Sequence, residues 1–241
     1  MWHKLKEEKE RKTTMRNASQ KKLRLIYQKL FAHYGEQQWW PAQTPFEVAV
    51  GAVLTQNTNW NNVEKAITNL KKAKMLSPEK IVSASDSALE EAIRPSGFFK
   101  QKAKTLRRVA EFFVGFDFDS KRAKRKGDSK EAREKEISDL RSSLQSIKGV
   151  GEETADSILL YALGLPVFVI DAYTIRFCER HGLVPKARRD KRDYELYRLF
   201  FESNLPRDAQ HYNEFHALLV KLAKERCKKR EKLCEGCPVK R

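Results

Sequence analysis

Between Leu144 and Arg176 the chain reads as two helical patterns joined by Lys148-Gly149-Val150-Gly151. Ile137, Leu140, Leu144 and Ile147 predict a helix running into that turn; Thr154, Ile158, Leu159 and Ala162 predict one leaving it. Glycine lets the backbone turn sharply and leaves its N–H groups uncovered. Uncovered N–H groups at the start of a helix can grip a phosphate oxygen. Twenty residues past Gly151, a lone acid, Asp171, ends the apolar strip Val167-Phe168-Val169-Ile170. A phosphate grip followed by one walled-in carboxylate predicts a protein that holds a nucleic-acid backbone and does chemistry beside it.

The charge points the same way. The 241 residues carry a formal net charge of +17, and the pI is near 9.7. Such an excess favours a polyanion. Nucleic acid ranks ahead of an anionic membrane surface, because the basic residues are spread and the amphipathic patterns read as core. A hydrophobic share of 40% excludes wholesale disorder. No apolar run approaches the roughly 18 residues of a membrane span. The N-terminus lacks the apolar core of a secretory signal. The expectation is a cytoplasmic protein, associated with the nucleoid through DNA, without a membrane partner. In that compartment the four cysteines are not expected to form structural disulfides.

Along the chain the patterns are helical, and the fold class predicted is all-α. Residues 1–22 read as a basic N-terminal arm. A central helical lobe is expected over 46–163, carrying the hairpin. A second lobe is expected from 23–45 plus 164–241, ending in a cysteine-rich loop, with a cleft between the lobes. Phe46 to Leu54 is nearly all apolar and predicts a buried helix. Lys121 to Glu136 is charge-rich and reads as a solvent loop or a helix extension. Pro166 to Ile170 alone reads as extended.

Each candidate has a plain alternative. A short glycine turn occurs in ordinary helical hairpins. An Asp before a helix is usually an N-cap, although a cap can also be a catalyst. Trp39 and Trp40 could be packing aromatics. Gln56 and Asn57 could close the helix before them. Arg94, Lys102 and Lys104 could face phosphates or form a solvated rim. The five histidines show no ligand spacing, and His216 reads as a partly buried core residue. Cys178 also reads as core.

The apolar helix, Lys148-Gly149-Val150-Gly151, Thr154-Ala155 and the later Asp171 together resemble the helix-hairpin-helix signature of the endonuclease III-like DNA glycosylase superfamily. The resemblance runs from about Trp39 to Cys237. A closer one lies in Trp39-Trp40-Pro41, Gly51-Ala52-Val53-Leu54-Thr55-Gln56-Asn57-Thr58, Arg94-Pro95-Ser96-Gly97-Phe98-Phe99, Gln101-Lys102-Ala103-Lys104 and Glu153. These resemble the bacterial 3-methyladenine DNA glycosylases of the endonuclease III type.

The resemblance implies a base-excision enzyme acting as a monomer on damaged double-stranded DNA. Asp171 would stabilise the positive charge that develops on the sugar as the base leaves. Glu153, the second candidate at the catalytic centre, stands where bifunctional relatives carry a lysine. A carboxylate cannot form the imine that strand cleavage needs, so monofunctional excision of alkylated purines is expected. Trp39, Trp40, Pro41 and Trp60 would line the base pocket. Gln56 would fill the gap left by the flipped base, with Asn57 beside it. Lys148, Gly149, Val150, Gly151 and Thr154 would hold the strand.

Cys227-x6-Cys234-x2-Cys237 matches three ligands of the superfamily's [4Fe–4S] loop, whose pattern asks for a fourth cysteine beyond Arg241. A [4Fe–4S] cluster is expected, completed by a residue further on or by a borrowed ligand; a loop without a cluster stays open, and zinc is a weaker reading. No nucleotide cofactor is expected. Two rivals remain: a bifunctional glycosylase/lyase acting on oxidised pyrimidines, and a non-catalytic DNA-binding hairpin protein.

Overall fold

The computed structural model describes residues 2–117, 129–184 and 193–240. Among them every regular element is helical. In chain order the α-helices are α1 (Trp2–Tyr34), α2 (Pro45–Leu54), α3 (Trp60–Lys72), α4 (Pro78–Ser83), α5 (Asp86–Ile93), α6 (Phe99–Phe113), α7 (Lys130–Ser146), α8 (Glu152–Ser157), α9 (Ala172–His181), α10 (Tyr194–Asn204) and α11 (Ala209–Glu225). No described helix is long and apolar enough to cross a membrane. The chain divides into two compact units, Met1–Trp39 with Pro166–Arg241, and Trp40–Leu165.

In the Trp40–Leu165 unit, α2 is buried from Phe46 to Leu54, as its apolar run predicts. Thr44 caps it by accepting from Glu47 N, and Pro45 opens it. Glu47 is buried with its charge met: Lys71 lies 2.7 Å from Oε1, and Gln43 N donates to Oε2 at 3.1 Å. On α3, Val63, Ala66, Ile67 and Leu70 are buried at helical spacing. The short α4 lacked a readable apolar period. Ser77 caps it, Pro78 opens it, and Ile81 is its one buried residue. Arg107 of α6 supports its end, donating to the carbonyls of Ile81, Val82 and Ala84. In the charge-rich stretch from Lys121, residues 121–128 lie outside the described residues; Lys130 to Glu136 is helical, the first part of α7.

The structure corrects the reading of Lys102. It is neither a phosphate contact nor a rim residue, being only 4% exposed. Its Nζ donates to Leu54 O at 2.8 Å and to Ser96 O at 2.7 Å. Those carbonyls end α2 and the Arg94–Ser96 turn, so one amine ties two chain reversals together. Burial pulls its pKa down to about 8. Arg94 is likewise engaged, 2.6 Å from Glu91 and over the Phe99 ring.

In the other unit, α1 is one continuous helix, so its backbone shows no boundary at Lys22. Leu23, Ile26 and Leu30 form its buried stripe. The strip before Asp171 is extended but joins no strand. Its N–H groups are met by side chains instead: Phe168 N donates to Glu202 Oε1 at 2.9 Å, and Ile170 N to the Tyr194 hydroxyl at 3.1 Å. Arg198 Nη1 in turn bonds Glu202 Oε2 at 2.6 Å. Phe168 stacks on Phe201 at 4.1 Å and meets Tyr212 edge-on at 5.4 Å. Tyr212, Phe215, His216, Leu219, Leu222 and Ala223 are buried along α11.

Lys102→Met removes two hydrogen bonds to carbonyls with no other way out of the core, and should cost about 1–3 kcal/mol. The amine is depressed in the folded state, so between about pH 8 and 10.5 the unfolded chain binds more protons and folding is favoured as pH rises. Urea titrations across that window should show the wild-type advantage over Lys102→Met growing with pH.

Candidate functional site

The hairpin between α7 and α8 depends on a close approach. Gly149 has φ +98°, and a Cβ there would lie 2.2 Å from Thr105 Oγ1. No other residue fits both the conformation and the gap. Gly151 differs: its φ is −90°, and an added Cβ meets nothing within 4 Å. Its smallness leaves the approach to the turn open. Val150 is buried and anchors the loop, while Lys148, Gly149 and Gly151 are exposed. Thr154 is buried.

Gln56 and the hairpin come together across 93 residues of sequence: its Nε2 donates to Gly149 O at 3.0 Å and to Thr154 Oγ1 at 2.9 Å. Asn57 beside it is exposed and left-handed, φ +53°.

Sequence reasoning assigned no role to Arg141 and Asp156. The Asp156 carboxylate is fully buried, and Arg141 grips it with Nε at 2.7 Å and Nη2 at 3.1 Å. This fork fastens α7 to α8 and sets the hairpin's opening. Glu152 and Glu153 form the first turn of α8. They suit the helix dipole but oppose a phosphate. Arg141 lies 3.9 Å from Glu152 and so offsets one of them. Glu153 is exposed.

An aromatic group sits in the same unit. Trp40 meets Trp60 edge-on at 5.0 Å and Tyr161 at 5.3 Å. Its seat is Gly51, where a Cβ would lie 3.0 Å from Trp40 Cζ2. Trp60 opens α3 and donates from Nε1 to Glu64 Oε1 at 2.8 Å. All three rings are partly exposed, and Pro41 is exposed. Tyr161 escaped the sequence reading. It lies in a π turn, Ile158–Ala162, that continues α8; such turns recur at functional sites, yet they carry no spacing signature. Trp39 belongs to the other unit, with Lys224 Nζ 5.8 Å from its ring centre.

Asp171 is the N-cap of α9, and its Oδ1 accepts from Thr174 N at 2.7 Å. His216 Nε2 lies 3.5 Å from the other oxygen, Oδ2. Val167 to Ile170 form an apolar wall, each 2% exposed or less. Burial pushes the carboxyl pKa up, but His216 and the Thr174 donors outweigh it and hold it below the usual range. Asp171 is therefore an anion at neutral pH, with little water around it. Sequence reasoning missed His216 because it lies 45 residues from Asp171 and matches an apolar helix face.

The cysteine loop carries the three sulfurs, Cys227, Cys234 and Cys237, of the cluster expectation. Among the described residues no group of three or more His, Cys, Asp or Glu side chains could hold a metal. Cys227 Sγ accepts from Arg180 Nη1 at 3.0 Å, and Cys234 is exposed. Arginines hold this backbone: Arg180 donates to Lys228 O at 2.8 Å, Arg176 to Cys227 O at 2.8 Å, and Arg226 to Glu235 O at 3.0 Å. The three described sulfurs do not by themselves form a [4Fe–4S] ligand set. Cys178 is buried core, as expected.

Comparison with known proteins finds relatives along most of the chain. A profile described as the HhH-GPD superfamily base excision DNA repair protein matches residues 50–200. A provisionally named DNA repair glycosylase of Methanocaldococcus jannaschii is 46% identical over 217 residues, covering 89% of this chain and 92% of the relative. The thymine/uracil-DNA glycosylase of Pyrobaculum aerophilum is 28% identical over 214 residues, covering 88% and 85%. The H. pylori 3-methyladenine DNA glycosylase bound to 1,N6-ethenoadenine superposes with a TM-score of 0.65 at 32% identity, covering 86% of this chain and 97% of that one. A trapped endonuclease III–DNA covalent intermediate gives 0.70 at 18% identity, covering 91% and 93%, which shows a shared fold.

Two glycine variants and one arginine variant test the hairpin. Gly149→Ala should lose stability and DNA affinity together, because Thr105 must move and the backbone is strained. Gly151→Ala should melt near the wild type, so any affinity it loses in a DNA-binding titration reports obstruction of the approach. Arg141→Met strands a buried carboxylate and should cost about 3–5 kcal/mol in chemical denaturation.

Proposed function

Because this chain belongs to the HhH-GPD superfamily of base excision DNA repair proteins and is a DNA glycosylase, we propose that it is a monofunctional enzyme releasing alkylated purines, such as 3-methyladenine, from double-stranded DNA. The observation that carries this reading is Asp171: one carboxylate that caps α9, walled by apolar residues and held ionised.

The parts take distinct roles. The hairpin, with Lys148, Gly149, Val150, Gly151 and Thr154, holds the strand's phosphate through backbone N–H groups, the Val150 N–H being already given to Ile147 O at 2.9 Å. Gln56, with Asn57, enters the space the extruded base leaves, which requires its carboxamide to leave Gly149 and Thr154. The flipped base stacks on the aromatic group of Trp40 and Trp60, with Tyr161 added to it; Trp39 and Pro41 flank that group in sequence. An N-alkylated purine is cationic, and aromatic faces attract it more than a normal base. It is also a good leaving group, and damaged bases flip at lower cost.

As the N-glycosyl bond breaks, its electron pair leaves with the base and the sugar becomes cationic. The Asp171 anion opposes that charge. Water then bonds to the anomeric carbon, and Asp171 takes its proton. Glu153 offers no amine, so no imine forms and the strand stays intact. The support for alkylated purines over other lesions is this pairing of partly exposed tryptophans with Glu153, together with the 32% identity to the H. pylori enzyme.

Incubation with methylated duplex DNA should release alkylated purine without nicking until alkali is added. Asp171→Asn should lower the single-turnover rate by about 10²-fold or more while DNA affinity is kept. Borohydride trapping of a protein–DNA adduct would overturn the monofunctional assignment. Intact binding with no release from alkylated, oxidised or deaminated DNA would instead favour a non-catalytic hairpin protein.

A further inference from the structure

We propose that His216 is the positioning residue for Asp171, fixing its second carboxylate oxygen as Thr174 fixes the first. The inference rests on reading Asp171 as the group that stabilises the sugar's charge. Asp171 Oδ1 has the Thr174 N–H at 2.7 Å. Oδ2 has His216 Nε2 at 3.5 Å, and the two side chains are only 13% and 6% exposed. A bare nitrogen lone pair facing a carboxylate in so little water would repel it, so Nε2 carries the proton and faces Oδ2 across 3.5 Å, an electrostatic contact longer than the Thr174 bond.

A single cap bond leaves a carboxylate free to swing about its terminal torsion. A second donor on the other oxygen removes that freedom. His216 is itself held: the Phe168 ring meets it edge-on at 6.4 Å, and Phe168 is stacked on Phe201. The strip that delivers Asp171 therefore also steadies the residue that orients it. A core role alone would be met at less desolvation cost by leucine or phenylalanine. The polar atom buried here faces the one acid the chemistry uses.

The test is single-turnover excision from methylated duplex DNA, with DNA affinity measured separately. His216→Phe fills the space without a donor. It should lower the excision rate about ten-fold or more while affinity and helical content stay at wild-type level. His216→Gln places an amide N–H near the Nε2 position and should recover the rate to within a few-fold. In an Asp171→Asn background, His216→Phe should add no further loss, because both changes remove one unit. If the phenylalanine variant does not fold, His216→Asn serves in its place: its amide stops short of Oδ2, so it should lose rate where His216→Gln does not. A full rate in the donor-free variant, or equal losses with and without the glutamine donor, would overturn the proposal. If Asp171→Asn itself keeps the full rate, the reading of Asp171 fails; if it is inactive while His216→Phe is not, only the role of His216 fails.

Discussion

An anion kept almost dry is the constraint on which the Asp171 region depends. Burial alone pushes the Asp171 carboxyl pKa up, and His216 and Thr174 on its two sides hold it below the usual range. Those donors need fixed frames. Thr174 N is fixed because Asp171 starts α9. His216 is fixed because α11 buries its face around it. The strip leading to Asp171 is fixed by Glu202 and Tyr194, which supply the hydrogen bonds a neighbouring strand would otherwise give. Removing any one support leaves a charge or an amide without compensation.

The hairpin is built on a different physical basis. Its two glycines look equivalent in sequence and are not. Gly149 answers to the interior, where Thr105 leaves no room. Gly151 answers to the exterior, where nothing in the protein crowds it. The Arg141–Asp156 fork beneath them is a buried ion pair whose worth lies in geometry more than in net stability. Lys102 shows the same economy, one amine closing two carbonyl ends.

Much of this was legible from residue order. The all-α class, the buried α2 and the amphipathic α3 and α11 follow from spacing, and the turn at Gly149–Gly151 follows from composition. Asp171 could be singled out because an acid after four apolar residues is unusual in a core. What was not legible depends on distance in space. Lys102 read as a surface cation because only the fold brings Leu54 O and Ser96 O to it. His216 read as core because its partner lies on another helix. Tyr161 sits on a π turn whose register shift no helical period describes. The cysteine spacing suggested a cluster loop, but the arginines that hold that loop's backbone, Arg176, Arg180 and Arg226, carry no spacing signature.

Gly51 shows how such a protein can change over evolutionary time. Trp40 lies against it with no spare distance. Any larger residue at 51 must lift the indole by a few tenths of an ångström or more, and Trp60 and Tyr161 are in contact with that indole. On the proposed reading of these rings as the base pocket, the shape offered to a base is thus adjustable from beneath, through a residue that only supports the indole. A single codon at position 51 could then retune selectivity across a lineage, and comparisons restricted to the rings themselves would overlook it.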